Sequence, residues 1–299
     1  MEAQTNILSI PNALGGALRP LTLVCGHYGV GKTNFVLNLA LTLSKRENTS
    51  VCTVDLDIVN PYFRTSEYSA VLNDAGVRVV SPVMANSSLD SPSLSAEVDG
   101  VIDWAMSGST AKNSIDKVSA VTDSKEIPTR IALFDIGGDD AGATALGRYS
   151  QHVKDLDIAL KAKNSNNSPN TCNQNNPDSE HPTYSLIYVV NAYRNLTQTP
   201  AEALEIMREI ERASGLRVTG IVNNSHLRDE TTANTILQAE QFGIDCAKAA
   251  GVPLLTQTAP ANICSNISDI ANTADAPEKC HRDPQKYFTV KKIVKTPWE

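Results

Sequence analysis

The sequence lacks several features that define common protein classes. It has no apolar run long enough to span a membrane, since the longest runs, such as residues 186–190, have the length of a strand. It also has no excess of positive charge, because 26 Lys and Arg residues stand against 33 Asp and Glu residues, a net charge of −7. We therefore expect no membrane partner and no binding of nucleic acid through bulk charge.

Paired cysteines and a leader segment are missing as well. The six cysteines show no C-x-x-C spacing, and the Cys-His pair at 280–281 is too sparse for a zinc site. Cys25 and Cys52 lie in apolar strand-like runs and are expected to be small buried hydrophobic residues. The first 16 residues have no basic start followed by an apolar core, so no signal peptide is expected. These features predict a reduced, cytoplasmic protein without a structural metal.

Seven short apolar runs predict the strands of a parallel sheet. They are apolar almost throughout, which is typical of strands buried on both faces. The predicted strands cover residues 21–25, 51–55, 77–80, 131–135, 185–190, 217–222 and 253–257. Helical patterns over residues 33–45, 199–215 and 231–251 alternate with them. This alternation predicts an α/β fold, a three-layer α/β/α sandwich around a mostly parallel sheet.

Two polar segments interrupt this alternation. Residues 163–182 are rich in Asn, Ser and Pro and cannot bury apolar surface, so we predict a disordered surface insertion there. Residues 107–128 are similarly polar. Because both segments fall between elements, we expect a single domain over residues 1–299.

The clearest motif, GHYGVGKT (residues 26–33), lies between the first predicted strand and the first predicted helix. It has the G-x-x-x-x-G-K-T pattern of a P-loop, whose glycines let successive backbone N–H groups surround the α- and β-phosphates at a helix N-terminus. Lys32 is expected to reach the β- and γ-phosphates, and the Thr33 hydroxyl to ligate Mg²⁺. The motif predicts a nucleoside triphosphate and Mg²⁺ as ligands.

Carboxylates and glycines follow two later strands. The second strand ends at Asp55 and Asp57, and the fourth ends at Asp135, followed by Gly137 and Gly138. An aspartate at this strand end can hold Mg²⁺ through water, and a glycine N–H beyond it can contact the γ-phosphate. Such a contact exists with the triphosphate and is lost after hydrolysis, which predicts a switch.

Four segments together resemble the MinD/ParA/CobQ-like group of P-loop ATPases, of the SIMIBI class. The segments are GHYGVGKT, VDLDIVNPYFR, DIGGDDAGATALGRY and VVNAYR, and the resemblance runs from about residue 21 to 260. It is closest to a poorly characterised subfamily of MinD-like ATP-binding proteins. The resemblance implies ATP and Mg²⁺ as ligands, ATP hydrolysis, a nucleotide-dependent homodimer and an unknown protein partner that reads the nucleotide state; slow hydrolysis is expected because of the loop residues His27 and Tyr28.

The resemblance also implies roles for individual residues. Lys32, Asp57 and Asp135 would be catalytic, with Asp57 positioning the attacking water, and Thr33, Asp55 and Asp135 would bind the metal. The residues expected to contact the nucleotide are Gly26, His27, Tyr28, Gly29, Val30, Gly31, Lys32, Thr33, Asn34, Gly138 and Asn224. Asn224 matches an asparagine that contacts adenine better than Asn223 does. No N-K-x-D segment of the kind that reads guanine occurs, which favours adenine.

The loop departs from the family at two positions. MinD and ParA proteins carry a second lysine that reaches the partner's phosphates across a nucleotide-sandwich dimer, whereas this chain has His27, followed by Tyr28 in place of glycine. A histidine with a pKa near 6.5 is only partly charged at neutral pH. Three interpretations stay open: His27 makes a weaker contact, another cation such as Arg64 replaces the lysine, or dimer-dependent hydrolysis is absent.

Two other functions also fit the motifs. One is an ATP-dependent small-molecule kinase or ligase of the dethiobiotin synthetase/CobQ type, with residues 81–100 forming an acceptor pocket. The other is a nucleotide-binding module that does not hydrolyse its ligand.

Overall fold

A computed structural model describes residues 10–57, 65–81, 92–107, 129–138, 140–166, 181–264 and 286–294. The strands are β1 (Leu21–Gly26), β2 (Ser50–Leu56), β3 (Arg78–Val80), β4 (Arg130–Ile136), β5 (Tyr184–Val190), β6 (Gly220–Asn223), β7 (Leu254–Pro260) and β8 (Tyr287–Val290). The helices are α1 (Asn12–Ala17), α2 (Lys32–Leu43), α3 (Ser69–Asp74), α4 (Pro92–Ser107), α5 (Asp140–Asn166), α6 (Pro200–Ser214), α7 (Ala233–Gln238) and α8 (Glu240–Ala250). Short 3₁₀ turns cover Thr65–Tyr68 and Arg228–Glu230.

All eight strands form one sheet, in the order β3-β2-β4-β1-β5-β6-β7-β8. Every neighbouring pair is parallel. The predicted α/β fold with a mostly parallel sheet is therefore confirmed. Strand β1 lies in the middle, between β4 and β5, so the loops after these three strands meet at one edge of the sheet, where ligands bind in folds of this type.

Alternate residues of β1 face opposite sides of the sheet. Leu23 and Cys25 pack in the core formed with α4, α5, α6 and α8, whereas Val24 packs with α1, α2 and α3. Burial on both faces explains why the strand sequences are apolar almost throughout. Cys25 and Cys52 are fully buried, as predicted.

The strand predictions differ from the structure most clearly at β6, which begins at Gly220 rather than at residue 217. Side chains replace backbone partners just before it: the Val218 N–H donates to the Glu211 carboxylate at 2.8 Å, and the Leu186 N–H donates to the Thr219 hydroxyl at 3.0 Å. Thr219 also makes one backbone bond, from its N–H to the Leu186 carbonyl at 2.8 Å, and the regular pairing of β6 with β5 begins at Gly220.

The helix predicted for residues 199–215 is confirmed. Thr199 and Glu202 form a reciprocal capping box at its start, and Gly215 ends it in a left-handed conformation with φ of +68°. The single helix predicted over 231–251 is wrong, because α7 and α8 are separate and meet at Ala239. The Asn223 amide donates to the Ala239 carbonyl at 2.8 Å and occupies an acceptor at this junction.

Two sequence predictions fall largely outside the described residues. Helix α5 continues to Asn166, so residues 163–166 are helical, and residues 167–180 and 108–128 are not described. The disordered insertion and the single domain over the whole chain stay predictions. In the described ranges, no helix has the length and apolar character that a membrane span requires.

Candidate functional site

The phosphate loop connects β1 to α2 in the geometry that its sequence predicts. Gly29 and Gly31 have positive φ angles of +75° and +91°, a conformation that glycine adopts without a steric penalty. Gly31 also leaves no room for a side chain, since a Cβ there would lie 2.3 Å from the amide nitrogen of Asn224. Gly31 is the N-cap of α2 and has no side chain to cap it, so the first N–H groups of the helix are available to an anion.

Lys32 brings its ammonium group back over this loop. The side chain is largely buried, and Nζ donates to the carbonyl oxygen of His27 at 3.1 Å. A Cβ on Gly138 would lie 2.8 Å from the same nitrogen, so the loop after β4 reaches the Lys32 ammonium. The predicted contacts to phosphate from Lys32 and Gly138 therefore converge on one point.

Asp135, at the end of β4, accepts hydrogen bonds from two threonine hydroxyls. Thr33 and Thr65 each donate to Oδ2 of Asp135, both at 2.7 Å. Thr33 belongs to the first turn of α2, and Thr65 begins the 3₁₀ turn that follows β2. The second oxygen, Oδ1, is buried and has no hydrogen-bond partner in the described part of the chain.

The electrostatics of Asp135 favour an additional positive charge. Burial, reinforced by the negative charge of Asp55, raises the pKa of Asp135 to about 7, against the opposing effects of the Lys32 ammonium and the two hydroxyls. Asp55 lies directly beside Asp135 in the register of β2 and β4. A cation bound at Oδ1 would give this oxygen a partner and would reduce the repulsion between the two carboxylates.

The donor set fits Mg²⁺ bound together with a nucleotide. Among the residues that the structure describes, no three His, Cys, Asp or Glu side chains form a group that could hold a metal. Mg²⁺ is usually bound by one or two carboxylates, with phosphate oxygens and water completing the octahedron. The free Oδ1 of Asp135 and the Thr33 hydroxyl beside it supply hard oxygen ligands of this kind.

Asp55 and Asp57 lie at the end of β2, as predicted. The Asp57 N–H donates to Oδ1 of Asp55 at 3.0 Å, so the two residues form a short turn. Asp57 is 8% exposed, and Asp55 is fully buried. Their roles in binding the metal and positioning water stay predictions.

The two unusual loop residues face different environments. The Tyr28 side chain is 54% exposed, so it points outward, whereas its backbone lies against the loop after β4: a Cβ on Gly138 would be 2.6 Å from the Tyr28 nitrogen. Burial and the nearby Lys32 ammonium lower the pKa of His27 below its usual value. His27 is therefore neutral at pH 7 and does not supply the permanent charge of a second lysine.

Asn224 supports the loop from the side of β6. Its amide nitrogen donates to the Val30 carbonyl at 2.6 Å, and its oxygen accepts from the Thr258 hydroxyl at 2.5 Å. The ring nitrogen Nε2 of His226 lies 3.1 Å from the same oxygen. Asn224 is thus fixed beneath the loop, and its predicted contact with adenine stays a prediction.

Asn34 has a structural contact that its sequence position does not suggest. Its side-chain oxygen accepts from the N–H groups of Ile293 at 2.9 Å and Val294 at 3.3 Å. The side chain therefore ties the segment after β8 to α2, and the predicted contact of Asn34 with the nucleotide stays a prediction.

Sequence reasoning missed two residues that the fold brings to the loop. Thr65 gives no motif signal beyond its place after the Asp55-x-Asp57 turn, and Arg194 is only part of the segment VVNAYR. The Arg194 side chain covers Gly29, because Nε lies 3.9 Å from the point where a Cβ of Gly29 would be. Arg64, the cation suggested from the sequence, lies outside the described residues.

Comparisons with known proteins give limited similarity. No protein-family model matches the chain, and no curated protein matches it, so the resemblance to MinD and ParA proteins stays a prediction. Among solved structures, the signal recognition particle receptor FtsY from Elizabethkingia anophelis in complex with GDP is 15% identical, with a TM-score of 0.42 over 78% of this chain and 55% of that chain. FtsY from Mycoplasma mycoides is 14% identical, with a TM-score of 0.42 over 83% of this chain and 62% of that chain.

Chloroplast FtsY from Physcomitrella patens is also 14% identical, with a TM-score of 0.45 over 84% of this chain and 64% of that chain. The chain spans less than two thirds of the length of each of these three proteins. At such identities and TM-scores, the similarity carries no information on the ligand of this chain.

Proposed function

We propose that this chain is a Mg²⁺-dependent ATP-binding protein and a slow ATPase. In this role it acts in the cytoplasm as a nucleotide-controlled switch for a protein partner. The observation that carries the proposal is the hydrogen bond of 2.7 Å between Thr33 and Asp135. It joins the start of α2 to the end of β4 beside the helix N-terminus, which has no side-chain cap, and Mg²⁺ and a polyphosphate require such an arrangement together.

In this proposal the residues divide the work. The loop from Gly26 to Thr33 binds the phosphates through backbone N–H groups, with Lys32 neutralising the β- and γ-phosphates. Thr33, Asp135 and Asp55 hold Mg²⁺, which when bound would neutralise the charge that develops on the transferred phosphoryl group. Asp57 orients the attacking water for in-line displacement.

The switch rests on the contact between two loops. Gly138 lies against the backbone of Tyr28 and beside the Lys32 ammonium. A γ-phosphate at Lys32 must share this space with Gly138, so the triphosphate and the diphosphate favour different positions of the loop after β4. A partner, or a second copy of the chain in a nucleotide-dependent homodimer, can read that difference.

Adenine is favoured over guanine by the segment after β6. If Asn224 is taken as the first residue of an N-x-x-D segment, the fourth is Leu227, whose apolar side chain cannot accept hydrogen bonds from guanine. Slow hydrolysis is favoured by His27, because a neutral imidazole lacks the positive charge with which a lysine stabilises the additional negative charge of the transition state.

The test is nucleotide binding and turnover with purified protein. We expect ATP to bind more tightly than GTP in the presence of Mg²⁺, phosphate to be released slowly, and EDTA to suppress the release. Lys32→Ala should weaken ATP binding by a factor on the order of 100 or more, because the phosphates lose their charged partner. Tighter binding of GTP would contradict the choice of base, and an unchanged Lys32→Ala variant would contradict the site.

Light scattering in ATP and in ADP tests the homodimer. We expect a dimer only with ATP, and a monomer under both conditions would contradict nucleotide-dependent association.

A further inference from the structure

The side of the phosphate loop away from the metal ligands carries positive charge. Strand β5 borders β1 opposite β4, and Arg194 lies just beyond its end. Next to β5, strand β6 is followed by His226 and Arg228. Three side chains that can carry a positive charge therefore gather on this side, in a protein whose net charge is −7.

The position of Arg194 is fixed by a tight turn. Its N–H donates to the Asn191 carbonyl at 3.2 Å, and its own carbonyl accepts from the Thr197 N–H at 3.2 Å. The Thr197 hydroxyl bonds the Asn191 carbonyl at 2.9 Å as well. An arginine on such a backbone presents its guanidinium group from a defined point.

The Arg194 side chain is directed at the loop. Its Cδ and Nε lie 4.0 Å and 3.9 Å from the position of a Cβ on Gly29. Gly29 is the middle glycine of the loop, three residues before Lys32. Arg194 is half-buried at this position. Burial of a charged guanidinium group without a partner costs free energy, because the group loses its hydration.

Arg194 lacks an anion in the described part of the chain. None of the ion pairs or side-chain hydrogen bonds of the described residues involves its guanidinium group. Its surroundings repel a positive charge: burial, and then the charge of Arg228, lower the pKa of Arg194. Burial, Arg194 and Arg228 together lower the pKa of His226 to about 4, so His226 is neutral.

We propose that Arg194 binds the polyphosphate of the nucleotide in cis, on the side of the loop opposite the metal ligands. The inference rests on the proposed function and names the second cation that His27 does not provide. A guanidinium group suits this position, because its planar fork of N–H donors matches phosphate oxygens and its charge does not titrate near neutral pH.

The contact is expected to stabilise the ground state and the transition state alike. Arg194 approaches the loop at Gly29, whereas Asp135 and Asp57 lie on the other side, where hydrolysis is proposed to occur. Loss of the arginine should therefore raise KM and Kd and leave kcat nearly unchanged.

The experiment compares Arg194→Gln with Arg194→Lys and with Arg208→Gln. Arg208 is exposed on α6, so its replacement changes the net charge equally without touching the loop. We expect Arg194→Gln to weaken ATP and ADP binding by about tenfold to hundredfold. Arg194→Lys should lie between Arg194→Gln and wild type, and Arg208→Gln should match wild type. Thermal unfolding of each variant without nucleotide reports folding separately.

The inference alone would be overturned by wild-type affinity and KM in Arg194→Gln, or by an equal loss in Arg208→Gln, provided that Lys32→Ala still weakens binding as expected. A fall in kcat at unchanged KM would also contradict it. If the wild-type protein binds neither ATP nor GTP, the proposed function itself fails, and the two failures are thereby distinguished.

Discussion

The two sides of the phosphate loop, towards β4 and towards β5, have opposite charges and need ligands of opposite charge. On the β4 side, Asp135 lies beside Asp55, and one of its oxygens has no hydrogen-bond partner in the part of the chain that the structure describes. On the β5 side, Arg194 and its neighbour Arg228 have positive charge, and Arg194 has no anion among the described residues. In the proposed function a cation completes one side and an anion the other, and a Mg²⁺–nucleotide complex would supply both.

The two sides are also built differently. The β4 side depends on the hydroxyls of Thr33 and Thr65, which share Oδ2 of Asp135. Thr33 and Asp135 are both proposed metal ligands, so binding of a metal would change these hydrogen bonds. On the β5 and β6 side, the buried amide of Asn224 is bound to the loop and to Thr258. We infer that the first side responds to the state of the nucleotide and that the second holds the loop in shape.

The largest expected effect comes from Asp135→Asn, which removes the charge of the β4 side and keeps its shape. The amide oxygen can still accept from Thr33 and Thr65, but Mg²⁺ loses its anionic ligand, so hydrolysis should fall about 100-fold. Without metal, the variant should be at least as stable as wild type at pH 8, because the buried charge beside Asp55 is gone. Phosphate release and thermal unfolding check the two parts.

Asp245→Asn is the matched control, since Asp245 is exposed on α8. Equal hydrolysis by Asp135→Asn and wild type in Mg²⁺ would contradict the assignment of the metal side.

These two sides were not equally visible in the sequence. The loop motif, the flanking strand and helix, and Asp135 could be predicted because each is encoded by neighbouring residues or by an apolar run. Thr65 reaches Asp135 across 70 residues, and Asn34 reaches Ile293 across 259. Such contacts depend on the order of strands in the sheet, which no local pattern specifies.

The break between α7 and α8 has the same origin. Residues 231–251 carry a helical pattern, but the partner of Ala239 is Asn223, on the preceding strand. The strand order also brings Arg194 to Gly29, so the cationic side of the loop emerges only from the fold.

A smaller effect is expected from Gly138→Ala, where the loop after β4 contacts the phosphate loop. The new Cβ would lie 2.6 Å and 2.7 Å from the Tyr28 nitrogen and Cα, so the loop after β4 must move away from the phosphate loop. Overpacking of this kind costs about 1–3 kcal/mol of stability. Hydrolysis should fall roughly tenfold, because the Gly138 N–H is displaced from the γ-phosphate. Nucleotide affinity should change less, because the α- and β-phosphates are proposed to bind other N–H groups of the loop and Arg194.

Gly100→Ala provides the comparison for Gly138→Ala. Gly100 lies in α4 with no atom within 4 Å of an added Cβ, so alanine should stabilise the helix slightly. Wild-type turnover in Gly138→Ala would mean that the loop after β4 does not follow the nucleotide.

Asn224→Ala tests the supporting side. It leaves the Val30 carbonyl and the Thr258 hydroxyl buried without their partner, at a cost of about 1–3 kcal/mol in the free energy of unfolding. The affinity for ATP should fall as well, because the phosphate loop loses its hydrogen bond to Asn224. The dependence of binding on Mg²⁺ should stay as in wild type. Denaturant unfolding and ATP titration in Mg²⁺ or EDTA measure both, with exposed Asn195→Ala as the control. A changed Mg²⁺ dependence would show that the two sides are not separate.

The smallest effect concerns pH, because the two sides oppose each other. The folded-state pKa of His226 is about 4, below the unfolded value near 6.5, so the unfolded chain takes up a proton first as the pH falls. Stability from this side is therefore present above pH 6.5 and is lost progressively towards pH 4. Asp135, with a pKa raised to about 7, has the opposite slope: it costs stability as the pH rises from about 4 to 7.

The contribution of Asp135 cancels when the unfolding free energies of wild type and a His226 variant are compared at each pH. His226→Gln keeps a side chain that can donate to Asn224 and removes the titration, while Asp135 is present in both proteins. The unfolding free energy of wild type should fall relative to His226→Gln between pH 6.5 and pH 4. If the curves of wild type and His226→Gln run parallel over this range, His226 is not held neutral by burial and by the charges of Arg194 and Arg228. The positive electrostatic potential on the β5 side would then be weaker than the positions of Arg194 and Arg228 imply.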